Sequence, residues 1–227
     1  MRLPEICIIK HRISDLLDDA GLNIPTISEL RKQANILVID DNEFPQESYL
    51  RSNGYRIIRK KDISAMTDVA EYDIILCDIT GVGIELGFSR GGASIIKEIR
   101  KNYPCKLTIA YTAHTYEAAY NQFFALADFV APKDFSTDDW IEKLDELINK
   151  SVNPINQWER MRDDLLKKGV STLAVAKIED KFVNAIKSKK SDKLNALVKP
   201  KESTVGPIIS DFLSSLCAKI IISKLGG

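Results

Sequence analysis

The 227-residue chain is 44% hydrophobic and 28% charged, with a formal net charge of +0, values ordinary for a soluble globular protein of one large domain or a domain with an appendage. Four scattered cysteines without a CxxC, and only two histidines, exclude a Cys/His metal site. No apolar run reaches the ~18 residues of a membrane span, and the N-terminus has too short an apolar core for a signal peptide, so a cytoplasmic protein is expected.

The neutrality hides a split. From residue 154 onward the chain holds 14 Lys/Arg against 8 Asp/Glu, whereas residues 1–153 are acidic on balance. Two units with different surroundings are expected. Residues 1–33 form an N-terminal extension of mainly helical pattern: 6–10 is a strand or helix start, 13–20 a helix ending at Gly21, and 26–33 a helix capped by Thr26 or Ser28.

From residue 35 the pattern alternates. The apolar run I36-LVI-39 is followed by a helical stretch at 45–52 that closes at Asn53-Gly54, then R56-IIRK-60 and a short segment at 64–70. Next come I74-ILC-77, a glycine-rich loop, a helix at 93–102, the run 106–113, a helix at 116–127, F129-VAP-132 and a helix at 137–149. Short runs apolar on both faces, alternating with helices, read as parallel strands covered on both sides. The expected fold is an α/β (βα)₅ doubly wound sheet over 34–152 with additional helical segments at both ends. Cys77 and Cys105, in or beside apolar runs, read as buried free thiols.

Beyond residue 153 the pattern is helical: 155–168, 171–189, a Lys/Pro/Ser-containing connection at 198–207, and a last helix at 208–225. Its apolar stripe comprises Ile208, Ile209, Phe212, Leu213, Leu216 and Ile220.

Sites on doubly wound sheets lie beyond the C-terminal ends of the strands. The first strand is followed there by Asp40-Asp41, the third by Asp78, the fourth by Thr112-Ala113 and the fifth by Lys133. Three converging carboxylates repel unless a cation neutralises them, and a hard oxygen-seeking ion such as Mg²⁺ suits that donor set. A hydroxyl and an ammonium facing the ion complete a cradle for a phosphoryl group.

This ordered set resembles the receiver domain of two-component response regulators, CheY-like proteins whose strand order is 2-1-3-4-5, over about half of the chain. The resemblance implies that Asp78 is the phosphoacceptor and that a histidine kinase, a phosphotransfer protein or a small phosphodonor supplies the phosphoryl group. It implies Mg²⁺ as cofactor, with Asp41 and Asp78 as ligands, Asp40 acting mostly through water, and the backbone carbonyl of Thr80 as a further ligand. Lys133 would pair with the phosphoryl oxygens, Thr112 would turn towards them, Ala113 would keep access open, and Thr80 and His114 would tune the lifetime of the phosphoryl group. Any catalysis would be limited to self-phosphorylation and autodephosphorylation.

The chain departs from the family pattern after Asp78, where I79-TGVGIELGFSRGGAS-94 lacks the Met-Pro pair and runs several residues long. Its glycines, at 81, 83, 87, 91 and 92, match no P-loop and read as a flexible lid. Asp134 replaces the proline that commonly follows the lysine, and Val130, beside Phe129, stands where an activation-linked aromatic is usual.

The region 153–227 is expected to act as an output or oligomerisation element, with a homodimer forming through it or through the 116–149 face. An unphosphorylated interaction scaffold is one alternative. DNA binding through Lys187, Lys189 and Lys190 is another, but no interleaved aromatics or helix-turn-helix spacing accompany those lysines.

Overall fold

The computed structural model describes residues 9–16, 25–113, 121–188, 205–215 and 217–219. The expected strands form a single sheet: β1 (Asn35–Ile39), β2 (Arg56–Lys60), β3 (Ile74–Asp78), β4 (Leu107–Thr112) and β5 (Phe129–Pro132). All pairings are parallel, in the order β2-β1-β3-β4-β5.

Alternation along each strand fills two cores, because successive side chains point to opposite faces. Ile36, Val38, Ile74, Leu76, Ile109 and Tyr111 face α5 (Thr137–Val152), whose Trp140, Leu144 and Ile148 are fully buried. Leu37, Ile39, Ile75, Cys77 and Ala110 face α3 (Gly91–Asn102) through Ala93, Ile96 and Ile99. Both layers of the expected α/β sandwich are therefore present. α1 (Ile27–Gln33) packs beside α5, where Asp145 receives the Arg31 guanidinium and the Tyr55 hydroxyl, the latter at 2.6 Å. Short helices complete the layers: α2 (Glu47–Ser52) after β1, a 3-10 turn at Met66–Val69 after β2, and α4 (Asn121–Phe124) before β5.

A third core lies beyond the sheet. α6 (Pro154–Lys167), α7 (Thr172–Lys187) and α8 (Val205–Ser214) pack around Trp158, Met161, Phe182, Ile208 and Phe212. Trp158 stacks on Phe182, which meets Phe212 edge-on, with ring centroids 5.6 and 5.1 Å apart. Emptying one of these aromatic positions to alanine is expected to cost about 3–5 kcal/mol. The N-terminal turn at Ile13–Leu16 joins this cluster, since Asp180 accepts the Lys10 and His11 N–H groups and Glu179 accepts that of Ile13.

The helix that covers the expected final stripe runs over Val205–Ser214: it begins earlier than its sequence pattern indicates and ends at Ser214 instead of continuing unbroken towards 225. Pro207 lies in the first turn, where its missing N–H has no intrahelical partner to lose. Ile208, Ile209 and Phe212 are buried as expected, whereas Leu216, Ile220, Lys189, Lys190 and Cys7 lie outside the described residues. Cys77, Cys105 and Cys217 are buried free thiols.

Asn153 joins the two parts. It ends α5 and caps α6, its side chain accepting the N–H groups of Ile155 and Asn156, with Pro154 opening the helix. Arg160 on α6 then reaches the sheet end opposite the strand C-termini. It donates to the carbonyls of Pro104 and Lys106 at 2.9 and 2.8 Å and to Asp128 at 2.6 Å. Asp211 on α8 accepts the Cys105 N–H at 2.7 Å beside the buried Lys106 ammonium.

Candidate functional site

β1 delivers Asp40 into a fully buried position and leaves Asp41 exposed. The turn that follows is braced locally. The Asn42 N–H donates to Asp40 Oδ1 at 2.9 Å and the Asn42 amide donates to Asp41 Oδ1 at 2.8 Å. Arg59, from β2, holds the carbonyls of Asp40 and Asn42. Asp78 ends β3 almost wholly buried, so adjacent parallel strands present both acids at one edge. Oxygens of Asp40, Asp41 and Asp78 lie within 4.8 Å of one another.

Lys133 enters from the end of β5. Its Nζ stands 2.5 Å from Asp78 Oδ2 and 3.4 Å from Asp40 Oδ2, and 5.2 Å from the centre of the Tyr111 ring. Burial disfavours the ammonium. The hydrogen bond to Asp78 and the fields of Asp78 and Asp40 outweigh that, holding its pKa above the usual lysine value. Burial, reinforced by the charge of Asp78, pushes the Asp40 carboxyl upwards against the opposing Asn42 N–H and Lys133.

One ammonium against three carboxylates leaves uncompensated negative charge at a partly desolvated edge. An all-oxygen cluster of this size fits a small hard divalent cation that retains some waters. The residues present therefore fit Mg²⁺.

Thr112, at the end of β4, is buried, and its carbonyl accepts the Lys133 N–H at 3.0 Å; the small Ala113 behind it is exposed. The Thr80 N–H points to Asp78 Oδ1 at 3.3 Å. The structure thus brings Asp40, Asp41, Asp78, Thr80, Thr112 and Lys133 to one sheet edge, while His114 lies outside the described residues. Parallel strands ordered 2-1-3-4-5 are the CheY arrangement, and the acids occupy the edge where such sheets bind ligands. About half of the chain has a CheY-like receiver fold.

No protein-family model matches the sequence, and no curated protein matches it. Among solved structures, the chain is similar to a CheY-like response regulator receiver domain protein from Methanospirillum hungatei JF-1. The identity is 20%, covering 52% of this chain and 95% of that one, with a TM-score of 0.44. It is also similar to the response regulator TrrA from Thermotoga maritima, a complex with Mg²⁺-BeF: 24% identity, 50% and 98% coverage, TM-score 0.40. A third is a response regulator from Burkholderia pseudomallei with a phosphorylated aspartic acid, calcium ion and citrate, at 19% identity, 63% and 91% coverage and TM-score 0.40.

The receiver unit carries site features that the sequence pattern did not disclose. Tyr111, beneath Lys133, belongs to an aromatic nest with Phe44 and Trp140. Arg59 and Asn42 fix the acid-bearing turn. The long loop after β3 is tied down rather than free, in contrast to the lid reading: Asp62 accepts the N–H groups of Gly83, Ile84 and Glu85 at 2.7, 2.9 and 3.2 Å. Val82 is buried in the α3-side core. Lys133–Asp134 is not a cis peptide, in keeping with the absence of the usual proline. Val130 and Phe129 are only partly buried on opposite faces of the sheet, and Phe129 packs on Phe135.

Among the described residues no helix is long and apolar enough to cross a membrane.

Proposed function

We propose that the chain is a phosphoacceptor signalling protein in which Asp78 takes a phosphoryl group from a histidine kinase, a phosphotransfer protein or a small phosphodonor. The observation that carries this reading is the clustering of Asp40, Asp41 and Asp78 within 4.8 Å, with Lys133 Nζ on Asp78. Asp41, Asp78 and the Thr80 carbonyl would hold Mg²⁺, with Asp40 acting through water. Bound there, the ion would supply positive charge facing the oxygens of the transferring group.

The chain's own residues have distinct tasks. A carboxylate oxygen of Asp78 attacks phosphorus, and the P–N bond of a phosphohistidine donor breaks. The imidazole nitrogen leaves with the electron pair and regains a proton from solvent. Lys133, already beside Asp78, pairs with the phosphoryl oxygens, and the Thr112 hydroxyl donates to one of them. Hydrolysis returns the switch: water attacks phosphorus, the Asp78 carboxylate leaves, and inorganic phosphate departs. Phosphorylation then biases a two-state receiver whose altered surface, around 116–149 or at the helical region beyond 153, meets a partner or a second copy.

Incubation with Mg²⁺ and acetyl phosphate tests this directly. Intact-mass measurement should show one added phosphoryl group, lost with EDTA and in Asp78→Asn. An unchanged mass together with no Mg²⁺ binding removes the phospho-switch reading.

A further inference from the structure

We infer that Asp62 is a positioning residue for the metal site, acting through the loop between β3 and α3; this rests on the Mg²⁺-dependent reading of Asp78. Asp62 lies just past β2, outside the acid cluster. Its carboxylate accepts three consecutive N–H groups, those of Gly83, Ile84 and Glu85, and that of Ile63 at 2.8 Å. Four main-chain donors on one carboxylate make a strong directional anchor, because hydrogen bonds to an ionised acceptor are roughly twice as strong as neutral ones.

What the anchor holds bears on the site. The loop leaves Asp78 through Thr80 and turns at Gly81, whose φ is +78°. Gly81 lies so close to Asp41 that a Cβ there would stand 2.6 Å from the carboxylate oxygens. The loop backbone is therefore a wall of the acid cluster, pressed against its exposed member. The segment is closed behind this contact, with Phe88 N–H donating to the Gly83 carbonyl at 2.9 Å and Gly92 N–H to that of Ile79 at 3.2 Å. Asp62 thus sets how Thr80 and Gly81 stand against Asp41 before any ion arrives. A preset wall spares the ion the cost of ordering it.

The test compares Mg²⁺ affinity by calorimetry and amide exchange by NMR in the full chain, for wild type, Asp62→Ala, Asp62→Asn and Asp68→Ala. Asp68 is the control: it anchors the Ser64 and Ala65 N–H groups in the same manner, but within its own turn. In both Asp62 variants, exchange at Gly83, Ile84 and Glu85 should quicken and Mg²⁺ binding weaken about tenfold, while Asp68→Ala binds Mg²⁺ as wild type does. Quickened exchange with Mg²⁺ affinity within twofold of wild type overturns the inference and leaves the phospho-switch standing. So does equal weakening in Asp68→Ala, which marks a global effect. A wild type that binds no Mg²⁺ overturns both readings.

Discussion

Lys133 and Asp78, ending strands that are not neighbours, meet with Nζ 2.5 Å from Oδ2 across the intervening end of β4. The pair is asymmetric, since Asp78 is almost wholly buried and the lysine side chain is 31% exposed. The ammonium offsets charge on Asp78, and under the proposed function the same group would face the phosphoryl oxygens during transfer. Lys133→Met should therefore bind Mg²⁺ at least as tightly as wild type, a neighbouring positive charge having gone. Its phosphorylation rate at saturating Mg²⁺ should fall about 100-fold, the scale of losing one stabilising donor. Time-resolved intact-mass measurement separates the two effects, and an unaltered rate removes Lys133 from the chemistry.

Asp41 carries a different expectation, because it is exposed. Its described hydrogen bond is to the Asn42 side chain at 2.8 Å. Asp41→Ala should shift stability by about 0.5 kcal/mol or less, as for other surface changes, yet weaken Mg²⁺ binding by tenfold or more. Urea titration and calorimetry on the same sample read both quantities. A large stability loss would assign Asp41 to the fold instead of the ion.

Asp40 should show the opposite balance. Burial and the charge of Asp78 raise its pKa in the folded chain. A raised carboxyl favours the protonated folded state, so stability falls as pH climbs from the unfolded value, ~3.9, through the folded value, and is level above it. Without Mg²⁺, Asp40→Asn should be more stable than wild type at pH 7 by on the order of 1 kcal/mol, with the gain vanishing towards acid. Thermal unfolding in EDTA across pH 3–8 checks the sign. Added Mg²⁺ should narrow the difference, since it stabilises wild type more.

The difference between Asp40 and Asp62 also shows what a sequence discloses. The strands were legible because ILVI, IILC and LTIAY are apolar on both faces, which parallel burial demands. Asp40, Asp41, Asp78, Thr112 and Lys133 were legible because chemistry on such sheets collects beyond the strand ends. Asp62 was not, since the loop partners that tie it to the site are main-chain N–H groups more than 20 residues away, which leave no side-chain pattern. Arg160 was hidden likewise within E159-RMR-162, its partners being two carbonyls and an acid from loops preceding β4 and β5. The start of α8 was misplaced because Pro207 resembles a linker residue, although a helix tolerates it in its first turn.

Arg160 yields the prediction that tests how the helical region is held to the receiver unit. Its guanidinium spans the carbonyls of Pro104 and Lys106 and pairs with Asp128, which Arg100 also contacts at 3.0 Å. Arg160→Met keeps the length of the side chain and removes all these donors, stranding two carbonyls and leaving the buried Asp128 with only Arg100 and the Thr108 N–H. A loss of about 2–3 kcal/mol is expected, the remaining Arg100 preventing a larger one. Burial works to raise the Asp128 pKa, but the fields of Arg160 and Arg100 and the hydrogen bonds from Arg160 and the Thr108 N–H outweigh it and hold it down. A depressed carboxyl contributes stability above its unfolded value and loses it as pH falls through the folded one. The gap between wild type and Arg160→Met should thus be full above pH ~4 and close progressively in stronger acid. Urea midpoints from pH 2.5 to 7 measure that gap, and one independent of pH would mean that the arginine acts through the carbonyls alone.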